Sequence, residues 1–149
     1  MSVYYFAYGS NLDASQMKER CPSAEPAGTA VLDDHHLAFA GHSPHWDGAP
    51  ATIVSRQGAE VPGRLYEISF EELRILDHFE GHPVRYERRE KLVAAETEPE
   101  EHRAHLYVKD VDGNYGIPPD SYLSVLQEAY RELGFDTSVL ERAVKLGRD

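Results

Sequence analysis

The stretch over residues 4–12 constrains the fold of this chain more than any other. It opens with a continuous apolar and aromatic run, which is typical of a buried β-strand, and the run breaks abruptly at Gly9. Gly9 has no Cβ, so the backbone can turn tightly and a ligand can approach its N–H groups closely. Ser10 and Asn11 add short polar side chains that can hold such a turn. A short helix over residues 13–20 is predicted to follow.

A strand, a glycine turn and a helix start together collect N–H donors suited to a carboxylate or a phosphate. The same residues are also compatible with an ordinary turn that binds nothing. These nine positions alone leave both interpretations open.

Chain length, net charge and cysteine content limit the classes of protein to which this chain can belong. A length of 149 residues suits one domain, 1–149, with a real hydrophobic core. The net charge of −11 argues against nucleic acid and anionic membranes as partners. Cys21 is the only cysteine, which excludes an internal disulfide and a cysteine-based metal site. There is neither a long apolar tract nor a signal-peptide pattern, so we expect a cytoplasmic protein.

The remaining pattern predicts short strands with interspersed helices. Residues 27–40 form two short strands or one bent strand, and 41–50 form a loop. Ser69 and Glu72 match a capping box, with Glu72 reaching back to the start of a helix that runs to about Phe79. The other predicted elements are strands over 51–54, 61–68, 84–95 and 105–108, a hairpin tip at 96–101, and helices over 121–133 and 137–146. This order predicts an α+β fold around a small curved or barrel-like sheet.

Glu80 lies on an unexpected face of the helix that precedes Gly81. At about 100° per residue, Leu73, Leu76 and Glu80 fall within roughly 60° of one another, so Glu80 continues the apolar stripe. Burial and the negative end of the helix dipole both favour its protonated form and should raise its pKa. A carboxyl group tuned toward neutrality suits proton transfer. Fraying of the helix before Glu80, which would leave the side chain in solvent, is the alternative.

The glycine turn and the segment around Glu80 together resemble the γ-glutamylcyclotransferase family. Tyr8-Gly9-Ser10-Asn11-Leu12 matches the family's Y-G-S-N-L signature, and Glu80-Gly81 after Leu76-Asp77 is similar to its catalytic Glu-Gly segment. Segments 46–53, 61–66, 80–88 and 118–122 agree further, so the resemblance spans nearly the whole chain. His82 departs from the pattern, since an aromatic residue is commoner there, and this bears on pocket shape more than on chemistry.

The resemblance implies a small mixed β-barrel with flanking helices and a cavity at the glycine turn. It implies an enzyme that closes 5-oxoproline from a γ-glutamyl group and expels an amine, with Glu80 as the catalytic acid and base. No cofactor and no metal are implied; the partner is a small γ-glutamyl compound, and a homodimer is compatible with the pattern. The substrate-binding residues implied are Tyr5, Phe6, Ala7, Tyr8, Gly9, Ser10, Asn11, Leu12, Tyr86 and Tyr122. Tyr86 and Tyr122 could equally be core residues.

The type of signature also bears on the substrate. Ser10-Asn11-Leu12 resembles the branch acting on γ-glutamyl amino acids, which includes enzymes that remove a γ-glutamyl protecting group in antibiotic biosynthesis. The sequence does not identify the amine that is released or the roles of His42, His45 and His82.

Two other classes of function, a non-catalytic binding module and a metal-dependent hydrolase, are compatible with parts of the sequence. A non-catalytic module could use the same turn to hold a small carboxylate, but it would gain nothing from a second negative charge at Glu80. A metal-dependent hydrolase could use acidic residues together with a histidine cluster, His35, His36, His42 and His45. Cys21 with one of these histidines is a further conceivable nucleophilic pair, although no flanking signature supports it.

Overall fold

The computed structural model describes residues 2–95, 101–111 and 114–148 of the chain. Within these ranges, five strands close into a barrel in the order β1-β3-β2-β4-β5. Four helices and one 3-10 turn flank it. The elements are β1 (Ser2–Ala7), a 3-10 turn (Ser10–Leu12), α1 (Ala14–Arg20), β2 (Glu25–Phe39), β3 (Ala51–Ser69), α2 (Phe70–Glu80), β4 (Glu87–Ala95), β5 (Glu101–Val108), α3 (Asp120–Leu133) and α4 (Ser138–Arg148). β1 and β5 pair in parallel and the other neighbours antiparallel, which confirms the predicted mixed barrel.

β1 separates two hydrophobic cores because successive side chains of a strand point to opposite faces. Phe6 belongs to the larger core, which fills the barrel and extends beneath α3 and α4. Tyr5 and Ala7 point the other way into a smaller core with residues from α1 and α2. The strand thus fixes both helices against the outside of the barrel and ends at the glycine turn.

The predicted pair of strands over 51–54 and 61–68 is wrong, because both belong to the single strand β3. The break expected between them does not occur, because β2 and β3 stay paired on both sides of an irregularity at Asp34. The Gly58 N–H donates to the Asp34 carboxylate at 3.0 Å, and both residues have positive φ, 60° for Asp34 and 85° for Gly58. The Asp34–Gly58 contact, which is typical of a turn, therefore lies within the long β2–β3 hairpin and ends neither strand.

Helix α2 begins at the predicted cap, with one difference. The Ser69 hydroxyl accepts a hydrogen bond from the Glu72 N–H at 3.1 Å. The Glu72 carboxylate does not complete the capping box; it accepts instead from the Ser23 N–H at 2.9 Å. Glu72 therefore ties α2 to the segment after α1.

Other boundaries shift only slightly. β2 is one bent strand with two register shifts, and β4 begins at Glu87 instead of residue 84. The predicted hairpin tip falls mainly on residues 96–100, which lie outside the described residues. No helix in the described ranges is long and apolar enough to cross a membrane.

Candidate active site

A cavity opens where the end of β1 faces the end of α2. Its volume of about 100 Å³ exceeds severalfold the roughly 10–15 Å³ that one water requires, so it has room for a small molecule. The cavity wall joins the glycine turn, the loop before β3, the end of α2 and several tyrosines. The polar residues lining it include Tyr5, Tyr8, Ser10, Asn11, Arg20, His42, His45, Glu80, Arg85, Tyr86, Tyr107, Lys109 and Tyr122.

The glycine turn forms one wall of the cavity. The first hydrogen bond of the 3-10 turn runs from the Leu12 N–H to the Gly9 carbonyl at 2.9 Å. The N–H groups of Ser10 and Asn11 precede that bond, so the turn itself does not use them. A Cβ on Gly9 would lie 3.2 Å from the Tyr122 hydroxyl, so this position brings the backbone unusually close to that side chain.

The side chains of this turn hold it rigidly. Gln16 of α1 donates from its amide to Ser10 Oγ at 2.7 Å and to Asn11 Oδ1 at 3.0 Å. The Asn11 amide in turn donates to the Tyr5 hydroxyl at 2.9 Å, and Asn11 is only 2% exposed. The polar side chains are therefore engaged in positioning the backbone, which leaves main-chain donors to meet a ligand.

Glu80 forms the opposite wall, as the last residue of α2. Leu73 and Leu76 anchor the helix in the smaller core, and Gly81 ends it in the left-handed conformation at φ 71°. Glu80 is half-buried and lines the cavity. Burial raises the pKa of its carboxyl group to about 7, in the predicted direction. The helix remains intact up to this residue, so the predicted alternative of fraying is wrong.

Three cations face Glu80 across the described part of the cavity. Positive charges on Arg20, Arg85 and Lys109 act against burial and lower the Glu80 pKa. No ion pair within 4.0 Å joins Glu80 to a cation among the residues that the structure describes. Sequence reasoning did not single out these cations, because α1, the segment after α2 and the end of β5 meet only in the folded barrel.

The cavity tyrosines differ in whether their hydroxyl groups donate or accept a hydrogen bond within the protein. The Tyr8 hydroxyl donates to the Tyr107 carbonyl, and the Tyr86 hydroxyl donates to the Ala51 carbonyl at 2.6 Å. The Tyr122 hydroxyl instead accepts from the Ala51 N–H at 2.9 Å, so its own proton remains free for a ligand. Burial raises the pKa of Tyr8, Tyr86 and Tyr122 above the ordinary range, which keeps all three protonated.

Seven of the ten predicted binding residues line the cavity, and three do not. Phe6 and Leu12 are 0% exposed in the larger core, and Ala7 is 1% exposed in the smaller one. Strand alternation directs Phe6 and Ala7 into the two cores on opposite faces of β1. Leu12, the last residue of the 3-10 turn, packs in the larger core. Substrate binding by Phe6, Ala7 and Leu12 stays a prediction.

The three histidines whose roles the sequence left open, His42, His45 and His82, differ in whether they line the cavity. His42 and His45 line the cavity on the loop before β3, where the His45 ring lies 5.2 Å from the Trp46 ring and Trp46 lies 5.0 Å from Tyr122. His82 is absent from the described cavity wall; its Nδ1 accepts from the Arg88 N–H at 3.0 Å. Across the described residues, no three His, Cys, Asp or Glu side chains converge to hold a metal ion.

Comparison with known proteins decides the family. The family model for γ-glutamyl cyclotransferase, AIG2-like proteins matches residues 5–124, which include the glycine turn, Glu80 and Tyr122. The chain belongs to this family. The barrel with its flanking helices is therefore the γ-glutamyl cyclotransferase fold.

Individual relatives agree with the family assignment. The Homo sapiens γ-glutamylcyclotransferase is 39% identical over 84 residues, 54% of this chain, and the chain spans 45% of that protein's length. A solved γ-glutamyl cyclotransferase is 31% identical with a TM-score of 0.83, covering 98% of this chain and 86% of the other. An uncharacterized Homo sapiens protein of known structure is 32% identical with a TM-score of 0.82, covering 97% and 86%.

Proposed function

We propose that this protein is a γ-glutamylcyclotransferase that converts a γ-glutamyl compound into 5-oxoproline and a free amine. The observation that carries the proposal is Glu80, a carboxyl group with a pKa near 7 that faces backbone donors across one cavity. The γ-glutamyl unit has an anionic carboxylate and a proton-bearing amine a few bonds apart. The two walls match these two groups.

The glutamyl α-carboxylate binds at the glycine turn. The N–H groups of Ser10 and Asn11 supply donors, and main-chain N–H groups at a tight turn are well suited to anions. Arg20 adds positive charge at the same wall, where its guanidinium donates to Asn11 Oδ1 at 3.2 Å and lies 4.5 Å from the centre of the Phe79 ring. Local donors thus overcome the acidic field of a chain with net charge −11.

Glu80 carries the proton through the reaction. Its carboxylate takes a proton from the substrate's α-ammonium, which frees the amine to attack the γ-carbonyl carbon and form the new C–N bond. The carboxyl group then returns that proton to the departing nitrogen as the original amide C–N bond breaks. The regenerated carboxylate takes the second proton from the new ring nitrogen, and the released amine accepts it and leaves as an ammonium. A pKa near neutrality suits both transfers, because the group is neither too weak a base nor too weak an acid.

Tyr122 stabilises the charge that develops on the γ-carbonyl oxygen. Its hydroxyl proton is free because the oxygen already accepts from the Ala51 N–H. A preorganised donor in a half-enclosed cavity lowers the barrier when it meets the oxyanion. Tyr86, whose proton is held by the Ala51 carbonyl, orients the wall instead.

The proposed reaction is metal-independent. The nucleophile belongs to the substrate, and the attack is intramolecular, so correct positioning supplies a large part of the acceleration. The residues needed are a carboxylate anchor, a proton carrier and an oxyanion donor, and the cavity contains all three. A binding module for small carboxylates would need only the anchor, and Glu80 argues against that second candidate.

A panel of γ-glutamyl compounds tests the proposal. Purified protein is incubated with γ-glutamyl-alanine, γ-glutamyl-ethylamine and glutathione, and 5-oxoproline is measured by mass spectrometry with and without a chelator. We expect 5-oxoproline from at least one compound, unchanged by chelation. The control is α-glutamyl-alanine, whose amide is on the wrong carboxyl group for this ring closure. Release of no 5-oxoproline from any γ-glutamyl compound would contradict the proposal.

A further inference from the structure

The amide group of Gln16 donates to both polar side chains of the glycine turn. Gln16 is half-buried on α1, and its Nε2 lies 2.7 Å from Ser10 Oγ and 3.0 Å from Asn11 Oδ1. A primary amide has two N–H bonds, so each bond serves one of these acceptors. In the proposed reaction the turn contributes only its main-chain N–H groups. The directions of these side-chain hydrogen bonds decide what else the turn presents to a ligand.

Arg20 fixes the direction of this chain of hydrogen bonds. Its guanidinium can only donate, and it lies 3.2 Å from Asn11 Oδ1. The side-chain oxygen of Asn11 therefore faces α1, and Gln16 must also present a donor there, because its own amide oxygen would face another oxygen. The amide nitrogen of Asn11 consequently faces the other way and donates to the Tyr5 hydroxyl at 2.9 Å.

Two hydroxyl protons remain unused at the end of this chain. Ser10 Oγ accepts from Gln16, and the Tyr5 hydroxyl oxygen accepts from Asn11. Among the residues that the structure describes, neither hydroxyl donates a hydrogen bond of its own. Burial raises the pKa of Tyr5 and the charge of Glu80 raises it further, so this hydroxyl stays protonated. Both Ser10 and Tyr5 line the cavity.

A carboxylate at the glycine turn matches this arrangement. A carboxylate only accepts hydrogen bonds, and it binds more strongly to donors already directed at it than to hydroxyl groups that must first turn. If both hydroxyls donated to the protein instead, they would present oxygen lone pairs to the ligand and repel an anion. The direction of the hydrogen bonds thus favours a carboxylate over a neutral group.

We propose that Gln16 is a positioning residue that directs the Ser10 and Tyr5 hydroxyl protons at the substrate's α-carboxylate. It acts on Ser10 directly and on Tyr5 through Asn11. The inference rests on the proposed function, which assigns that carboxylate to the glycine turn. It adds two side-chain donors, oriented from α1, to the main-chain donors of the turn.

Helix α1 has a cap and an anchor that do not involve the Gln16 amide. The Asp13 carboxylate caps the helix by accepting from the Ser15 N–H at 3.1 Å. Met17 anchors it in the smaller core, where this side chain is 1% exposed. Loss of the Gln16 amide should therefore change the direction of the hydroxyl protons and leave the helix in place.

The test measures the binding of two small probes that differ in one group. 5-Oxoproline has the carboxylate that the glutamyl unit keeps after ring closure, and 5-oxoprolinamide has a neutral carboxamide of the same shape. Calorimetry at pH 6 gives both dissociation constants, since Glu80 is then mainly protonated and its charge opposes neither probe.

Three variants are compared with the wild type. Gln16→Leu removes the amide, and Gln16→Glu replaces its donors by acceptors. Lys18→Gln is the matched control, because it lowers the net charge by the same amount as Gln16→Glu. Lys18 is exposed on the same helix and lies outside the described cavity wall.

We expect the wild type and Lys18→Gln to bind 5-oxoproline about tenfold or more tightly than 5-oxoprolinamide. Gln16→Leu should reduce this preference by about three- to tenfold. Gln16→Glu should reverse it, because the new carboxylate accepts the Ser10 proton and leaves that oxygen to accept from the carboxamide. The inference is overturned if the wild type does not prefer 5-oxoproline. It is also overturned if Gln16→Leu keeps the wild-type preference, since charge alone would then explain any effect of Gln16→Glu.

A double-mutant cycle separates a positioning role from a merely structural one. Gln16→Leu should raise the KM for γ-glutamyl-alanine by about three- to tenfold and leave kcat within about twofold, because the carboxylate is bound equally in the ground and transition states. In a background that carries Ser10→Ala and Tyr5→Phe, Gln16→Leu should change KM little further, because the hydroxyl groups on which it acts are gone. A full, additive rise of KM in that background would overturn the inference.

The outcomes also distinguish this inference from the proposed function. If no γ-glutamyl compound yields 5-oxoproline, the proposed function fails, while a preference for 5-oxoproline that depends on Gln16 still supports the positioning role. If 5-oxoproline is released but Gln16→Leu leaves the preference unchanged, the function stands and the inference is overturned.

Discussion

The Tyr122 hydroxyl accepts a hydrogen bond from the Ala51 N–H at 2.9 Å. An N–H group can only donate, so the tyrosine proton is not used in this contact. Tyr86 has the opposite arrangement, because its hydroxyl donates to the carbonyl of the same alanine at 2.6 Å. The two tyrosines thus share one backbone residue but differ in whether a proton remains for the substrate.

Tyr122→Phe and Tyr86→Phe form a matched pair that tests this difference. Each substitution leaves one buried backbone group of Ala51 unpaired, which should lower the free energy of unfolding by about 1–3 kcal/mol in both variants. Only Tyr122→Phe removes an oxyanion donor, so its kcat should fall about a hundredfold. Tyr86→Phe should lose less than about tenfold. Urea unfolding and initial rates check the pair, and an equal loss of kcat in both would contradict the assigned roles.

The pH dependence of kcat/KM should report the ionisation of Glu80 in the free enzyme. Glu80 must be ionised to accept the ammonium proton, so activity should rise with pH through about 7, the pKa of this carboxyl group. Arg85 lowers that pKa, so Arg85→Gln should move the rise to higher pH. Arg74→Gln should leave it in place, because Arg74 is exposed on α2, lies outside the described cavity wall and is not among the charges that lower this pKa. An acidic limb near the ordinary glutamate value of 4.5 would be inconsistent with a buried acid.

Glu80 should also affect stability in a pH-dependent way. Its pKa is raised from 4.5 to about 7 on folding, so the native state binds the proton more tightly than the unfolded chain. This stabilisation is fully present below about 4.5 and is lost as pH rises through about 7. Glu80→Gln removes the effect, so the variant should gain stability relative to wild type as pH increases from 4.5 to 8. Thermal unfolding at several pH values measures this gain, and a constant difference would argue against burial of the carboxyl group.

Asp77 should position the last turn of α2. Its carboxylate pairs with Arg88 at 2.7 Å and accepts from the Tyr107 hydroxyl at 2.8 Å, which ties the helix to β4 and β5. Asp77→Asn keeps the size but weakens both contacts, and we expect about 1–3 kcal/mol lower stability by urea unfolding. Glu87→Gln is the control, because its pair with Arg89 is exposed and should contribute less than about 1 kcal/mol. Equal effects of the two substitutions would show that Asp77 has no special structural role.

Features that depend only on residues a few positions apart were predictable from the sequence. The 3.6-residue period placed Glu80 on the apolar face with Leu73 and Leu76, and the folded helix has the same stripe. The Ser69 cap and the αL glycines at Gly81 and Gly134 follow from local backbone rules in the same way. These features depend on neighbours a few positions away, so one sequence carries them.

Features that depend on distant contacts were not predictable. Glu72 bonds Ser23, 49 positions away, and so departs from the capping box that its neighbours indicated. The polar middle of β3 had the composition of a loop, and only its pairing with β2 around Asp34 keeps it a strand. The cations Arg20 and Lys109 have the sequence character of solvated charges, and closure of the barrel brings them to Glu80.

The central claim is that Glu80 carries the proton in formation of 5-oxoproline. The most direct measurement is the rate of 5-oxoproline release from γ-glutamyl-alanine by wild type and Glu80→Gln, with circular dichroism to verify that the variant is folded. We predict a folded variant whose rate falls by about 10²–10⁴-fold or more, because glutamine cannot accept and return a proton. A folded Glu80→Gln variant that releases 5-oxoproline at near the wild-type rate would contradict the account.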